Sequence, residues 1–238
     1  MMLPAALALH GALGGPEDWS AVGRKMRVEA VDLFGDEEDE RELRATRNLV
    51  SAGEFISSKW GGERRVLAGY SMGARVALHA LLADGGSCWS GAVILGAHPG
   101  LEDRDERQSR RDLDAGWAEK LARLTPEAFM NDWNLQGLFS GKSGGVARWN
   151  PSDRRRESMA VAFRTWSLGA QEPLWERLGE IQVPVTWMVG AEDVKFLSLA
   201  ERAIALLPEA RLVRVPSCGH RLLIEAPGLV AEEIQRLS

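Results

Sequence analysis

Five residues constrain this chain more than any others: Gly69-Tyr70-Ser71-Met72-Gly73, set between the apolar run Val66-Leu67-Ala68 and a helical stretch over Ala74–Ala83. A G-x-S-x-G pentapeptide acquires meaning when a strand enters it and a helix leaves it. The glycines flanking Ser71 give the backbone room for a sharp turn that lifts the hydroxyl clear of a sheet. The same turn aims the Met72 N–H, at a helix N-terminus, towards developing negative charge. A chain built around such a turn needs a sheet behind it.

Short apolar runs supply that sheet. Ala5–Leu9, Arg27–Leu33, Arg65–Gly69, Gly91–Leu95, Val185–Gly190 and Arg211–Val215 read as strands bounded by Gly, Pro or charge. Helical spacing fills the intervals: Leu43, Thr46, Val50 and Ile56 within one helix over Glu38–Lys59, then Ala74, Leu78, Leu81 and Leu82. Leu199, Ala203 and Leu206 continue it, and Leu229, Ile234 and Leu237 follow more loosely. Alternating strands and helices predict an α/β fold, a mostly parallel sheet covered on both faces. From about His98 to Gly179 the pattern changes: no strand is evident, and five of the nine tryptophans fall there. Leu113, Trp117, Leu121 and Leu124 share a helical face. We therefore expect a core of residues 1–97 and 180–238, with 98–179 inserted as a helical cap over the carboxyl edge of the sheet, where open α/β folds bind ligands. Gln136–Pro151, rich in Gly and Ser, reads as a loop within the cap.

The 238 residues suit one large domain with an insert, at roughly 150 residues per domain. With 45% apolar and 26% charged residues, the composition is that of a globular chain. A net charge of −5 lacks the positive field that holds a phosphate backbone, so nucleic acid is not an expected partner. Cys88 and Cys218 have no metal-ligand spacing and fit a reducing compartment, so a cytoplasmic location is expected. The opening Met1–Leu9 lacks a basic flank, carries Pro4 and runs into a Gly-rich turn, so it reads as a strand and not a signal segment. No run reaches the ~18 apolar residues of a membrane span. The oligomeric state is not indicated.

A serine at its ordinary acidity needs a base. Of the four histidines, His79 lies two turns into the helix behind Ser71 and reads as structural. His10 belongs to the turn after the first strand, and His98 to the start of the cap. His220 follows the strand Arg211–Val215 by a short loop, which brings an imidazole to the same sheet edge as Ser71. The orienting acid should end another strand there. Asp193 follows Val185–Gly190, with Glu192 a competitor one residue away and Glu225 a remoter one. The chain order Ser71, Asp193, His220 is the one a nucleophile elbow requires, with Asp193 fixing the tautomer of His220. In His10-Gly11-Ala12-Leu13-Gly14, the glycines let the Ala12 N–H face that of Met72 as a second oxyanion donor.

With these elements the chain resembles the α/β-hydrolases, and one subfamily in particular. Leu9–Gly14 with Asp18-Trp19, and Tyr70-Ser71-Met72-Gly73-Ala74-Arg75, are similar to the 2-succinyl-6-hydroxy-2,4-cyclohexadiene-1-carboxylate (SHCHC) synthases of menaquinone biosynthesis. So are His98-Pro99-Gly100-Leu101, Glu106-Arg107, Arg110, Asp114 and Trp117-Ala118, with Phe129, Asp132-Trp133 and Leu138-Phe139. Gly169-Ala170-Gln171, Leu174-Trp175, Gly190, Asp193 and Lys195-Phe196 extend the likeness. The sequence departs from that pattern at Ala74 and Leu223, and is shorter between Trp149 and Gly169, where Arg164 is the nearest candidate for a further substrate arginine. The resemblance implies a cofactor-independent lyase in which Ser71, activated by His220, abstracts a proton and pyruvate is eliminated. A small polycarboxylate substrate would call for guanidinium groups, here Arg75 and Arg110 with Arg107 as a less certain neighbour, while Trp133 and Tyr70 supply walls and a polar handle. The alternative is a hydrolase of esters or carbon–carbon bonds with Ser71 as nucleophile, because both chemistries use one relay. A non-catalytic binding relative fits less well, since all three triad positions are occupied.

Without the resemblance, the arginines alternating with acids over residues 102–111 read as a solvated helix face. Arg154-Arg155-Arg156 likewise reads as solvated. Gly137–Ser143 imitates a phosphate loop, but Gln136 stands where the first glycine is required, so it reads as surface loop. No histidine pair has ligand spacing, so neither a metal nor a cofactor is expected.

Overall fold

The computed structural model describes residues 5–62, 64–137 and 150–238. Six parallel strands form one sheet: β1 (Ala6–Leu9), β2 (Val28–Val31), β3 (Val66–Tyr70), β4 (Gly91–Leu95), β5 (Val185–Gly190) and β6 (Ala210–Val215), in spatial order β2-β1-β3-β4-β5-β6. Successive side chains of a strand leave opposite faces, and the two cores follow that alternation. Leu7, Leu9, Leu67, Ile94, Trp187 and Val189 enter one core, whereas Ala6, Ala8, Val66, Val93, Leu95 and Met188 enter the other. Helices α3 (Leu49–Trp60), α4 (Met72–Asp84) and α8 (Val194–Ile204) bury residues in the first. The short α1 (Ser20–Gly23) and α9 (Leu222–Glu225), with α10 (Pro227–Leu237), cover the second.

The order of strands places the site. From β1 the chain moves outward to β2, then returns to β3 on the other flank of β1. The loops leaving β1 and β3 therefore diverge at the carboxyl edge and open a crevice between them, as at the switch point of other open sheets. His10–Gly14 follows β1, and Ser71 follows β3.

One expected helix is two. Glu38–Lys59 divides into α2 (Glu38–Arg44) and α3, because Asn48 is extended and its side chain accepts a hydrogen bond from the Ser51 N–H at 2.9 Å, starting a new helix. The restart turns Leu49, Ala52 and Ile56 inward and leaves Val50 44% exposed. Between β4 and β5 the described residues form no strand; they hold α5 (Arg104–Arg123), α6 (Pro126–Asn134) and α7 (Asp153–Thr165). Trp117 packs edge-on against Trp133 and Phe129, with ring centroids 4.9 and 5.7 Å away, and Trp133 meets Phe163 at 5.5 Å. Leu113, expected on this buried face, is 53% exposed because it borders a cavity. The loop over Gln136–Pro151 falls mostly outside the described residues, as do Leu138, Phe139, Trp149 and most of the phosphate-loop look-alike. No helix among the described residues is long and apolar enough to cross a membrane.

Helix α4 runs through the first core and is buried from Met72 to Leu82. His79 on it is buried, its Nε2 has no hydrogen-bond partner among the described residues, and burial, reinforced by Arg75 and Arg177, pushes its pKa down to about 3.

Two tests follow from this packing. Ile56→Ala should cost about 2–5 kcal/mol in urea denaturation, while Val50→Ala should stay within about 0.5 kcal/mol. The unfolded chain takes up a proton at His79 near pH 6.5, but the folded protein refuses it until about pH 3, so stability is lost as pH falls through that window. His79→Gln should therefore flatten the decline of stability between pH 6.5 and 4, by up to about 1.4 kcal/mol per pH unit, in urea titrations at stepped pH.

Candidate active site

Ser71 sits between β3 and α4 with φ 52° and ψ −108°. This is costly for a residue with a Cβ, about 1–3 kcal/mol, and it persists because the neighbours fix both ends of the turn. The Ser71 N–H donates to the Leu95 carbonyl at 2.9 Å, and the Ser71 carbonyl accepts from the Arg75 N–H at 3.2 Å. Gly73 is required by proximity: a Cβ there would strike the carbonyls of Leu9 and His10. The start of α4 is thereby pressed against the end of β1, and the hydroxyl stands above the sheet edge.

Beta-strands five and six deliver the partners. His220 Nε2 lies 3.1 Å from Ser71 Oγ, and His220 Nδ1 lies 2.7 Å from Asp193 Oδ2. A carboxylate at Nδ1 keeps the proton there, leaving Nε2 to accept from the serine hydroxyl. The imidazole is 1% exposed, flanked by the rings of Phe196 and Tyr70 with centroids 4.6 and 5.6 Å away. Behind it, Gly96 has φ +56°, and a Cβ there would come within 2.9 Å of Cε1. Among the three acids, Asp193 takes the contact. Glu192 is exposed, and Glu225 instead accepts the Gly219 N–H, holding the loop that carries His220.

This group faces a cavity of about 1440 Å³ whose wall includes Ala12, Met72, Tyr70 and Trp133. Burial holds the Tyr70 phenol well above its ordinary pKa, so it stays protonated. The arginines divide sharply. Arg75 is 6% exposed and lines the cavity; its Nη1 donates to Gln171 Oε1 at 3.1 Å and its Nη2 to the Trp166 carbonyl at 2.8 Å. Both acceptors are neutral, and among the described residues Arg75 forms no ion pair. Burial, aided by Arg110, pulls its pKa down to about 9, still charged at neutral pH. Arg110, also on the wall, pairs through Nε with Asp114 at 2.9 Å, and Asp114 accepts from Ser167 Oγ at 2.7 Å. His98 nearby is kept neutral, burial and then Lys195 pushing its pKa down to about 3, while its Nδ1 accepts from the Gly100 N–H.

Three expectations change. Arg107 does not line the cavity; it forks onto Glu172 and the Gly169 carbonyl. Arg164 is exposed and reaches back to its own helix at the Ala160 carbonyl. The triplet Arg154-Arg155-Arg156 is solvated only at Arg154, which meets Asp36 at the surface. Arg156 caps the end of α5 by donating to the Leu121 and Leu124 carbonyls, and Arg155 turns onto the cavity wall to bind Asp32 and the Gly14 carbonyl. Charge alternation hid these contacts, because their partners lie more than 30 residues away in sequence.

The sequence matches the alpha/beta hydrolase family over residues 6–233. The 2-succinyl-6-hydroxy-2,4-cyclohexadiene-1-carboxylate synthase of Pectobacterium atrosepticum is 32% identical over 243 residues, covering 98% of this chain and 92% of that protein. The enzyme of that name from Serratia proteamaculans is 30% identical over 240 residues, covering 98% and 92%. Among solved structures, MenH from S. aureus superposes with a TM-score of 0.82 at 26% identity, covering 100% of this chain and 94% of that one. The carboxylesterase CesB of Bacillus subtilis shares the fold at a TM-score of 0.64 and 21% identity, over 98% of this chain and 83% of its own. The chain is an enzyme of the alpha/beta hydrolase family, similar over nearly its whole length to the SHCHC synthases.

Proposed function

We propose that this protein is an SHCHC synthase-like lyase of menaquinone biosynthesis, with Ser71, His220 and Asp193 as its proton relay and residues 98–179 as a cap over them. The observation that carries this reading is the meeting of two features in one cavity. A serine–imidazole–carboxylate chain opens onto it, and so does a buried guanidinium, Arg75, that lacks a carboxylate partner among the described residues. Asp114 acts on Arg75 only at a distance, being bonded to Arg110 and Ser167, and a buried charge without a carboxylate in contact is unfavourable, so the free protein is arranged to gain one from its ligand. Arg110, half-exposed on the same wall, offers the guanidinium edge that Asp114 leaves free. A small polycarboxylate meets both demands. The two free thiols, Cys88 and Cys218, suit a reducing cytoplasm.

The chemistry follows from the geometry. Asp193 holds the Nδ1–H tautomer of His220, whose Nε2 takes the Ser71 proton as the serine oxygen removes a ring proton α to a carbonyl of the cyclohexene substrate. The electrons of that C–H bond form a new ring double bond, and the C–O bond to the enolpyruvyl group breaks. The departing enolate receives a proton from the imidazolium and leaves as pyruvate. Negative charge that develops on the carbonyl oxygen is met by the Ala12 and Met72 N–H groups. Trp133 and Tyr70 bound the ring, and Arg75 with Arg110 bind its carboxylates. The sequence similarity to proteins named SHCHC synthase favours this elimination over ester or carbon–carbon hydrolysis by the same serine.

Purified protein offered the enolpyruvyl cyclohexene substrate should release pyruvate rapidly while cleaving a p-nitrophenyl ester negligibly; the opposite pattern assigns it to the hydrolases. Ser71→Ala should lower turnover by at least about 10²–10³-fold with unchanged thermal stability. Arg75→Ala should raise KM for the carboxylate substrate by about 10–100-fold more than for a neutral ester. Equal losses on both would make Arg75 a brace for Trp166 and Gln171 alone.

A further inference from the structure

The turn after β1 has no regular structure to hold it, and it contains Leu13 at φ 61°, a left-handed residue with a side chain. Three of its contacts restrain it. The Gly14 N–H donates to the Gly11 carbonyl at 3.2 Å, closing the turn. From below, His10 is fully buried: its Nε2 lies 2.9 Å from the Leu33 N and 3.3 Å from Asp32 Oδ1, and its Nδ1 lies 2.8 Å from the Gly11 carbonyl oxygen. The third contact comes from the insert. Arg155, in the first turn of α7, donates through Nη2 to the Gly14 carbonyl at 2.6 Å and through Nη1 to Asp32 Oδ2. Asp32 follows β2, and its other oxygen accepts the Phe34 N–H at 3.0 Å. The guanidinium also lies 5.8 Å from the centre of the Phe34 ring. It thus joins the insert, the loop after β2 and the turn after β1 at one point. That turn carries Ala12.

We propose that Arg155 is a positioning residue that fixes the Ala12 N–H through the Gly14 carbonyl and Asp32, so that the seating of the helical insert sets one half of the oxyanion site. This rests on the reading that Ala12 and Met72 receive negative charge. Arg155 stands on the cavity wall with its side chain 21% exposed, yet both terminal nitrogens are committed to protein oxygens, one of them an anion. Its effect on catalysis is therefore on kcat, by way of the turn, and not on capture of a substrate carboxylate. An oxyanion donor displaced by a fraction of an ångström to an ångström loses up to about 10²-fold in rate.

The test uses a neutral fluorophosphonate, which modifies an activated serine through a charged transition state but has no carboxylate to bind. Arg155→Ala should slow its reaction with Ser71 by about 10–100-fold, Arg155→Lys should restore part of the rate, and Asp32→Asn combined with Arg155→Ala should add little to either alone. Amide exchange should accelerate in residues 10–14 and stay unchanged in β3 and α4. A neutral-probe rate equal to wild type, with loss confined to carboxylate substrates, would overturn the proposal and make Arg155 a ligand arginine. Exchange that accelerates throughout the chain, with no excess at 10–14, would also overturn it. If the wild-type serine does not react at all, the relay reading fails; exchange at 10–14 then still decides whether Arg155 holds the turn.

Discussion

The turn at Ser71 sets what the surrounding structure must do. A residue with a Cβ held at φ 52°, ψ −108° relaxes unless its neighbours prevent it, and here the restraint is the contact between the start of α4 and the end of β1. Gly73 allows that contact, the Leu95 carbonyl anchors the serine N–H, and the burial of α4 keeps the helix from backing away. The strain is compensated by burial in the first core. In return, the hydroxyl is held above the sheet edge at the point where strand order reverses, and the loops after β5 and β6 need only supply an acid and a base at that edge.

Those two loops are themselves restrained. Glu225 holds Gly219, Gly96 leaves room for the imidazole, and Phe196 and Tyr70 close over it. An imidazole confined on so many sides has little freedom to leave its place between Asp193 and Ser71. The cavity adds the complementary feature. Arg75 is buried against the neutral oxygens of Gln171 and Trp166, and His98 on the same wall is kept uncharged, so the positive charge there is that of the arginines and Lys195.

At the cavity wall, arginines join the segments between β4 and β5 to the rest of the chain, alongside a continuous apolar core. Arg75 reaches from α4 to the loop at Trp166 and Gln171, and Arg155 reaches from α7 to the turn after β1. A guanidinium offers several donors in a fixed plane, so a single side chain can bind carbonyls from separate segments. The two sides of the cavity thus share hydrogen bonds, and these hold Arg75 and Arg155 in fixed orientations on its wall.

Much of this was legible in the chain itself. The six strands, the elbow at Ser71 and the partners His220 and Asp193 follow from apolar runs, glycine spacing and chain order, because those signals are local and a parallel sheet leaves few ways to connect them. Even so, Asn48 divided a helix whose periodicity ran across it, since one capping side chain outweighs an approximate hydrophobic repeat. The arginines were not legible. Arg107, Arg155 and Arg156 have the same kind of sequence neighbours, yet one binds a surface glutamate, one the turn after β1 and one a helix end. Which anion or carbonyl a long cationic side chain meets depends on segments far away in sequence, and only the folded chain brings those within its reach.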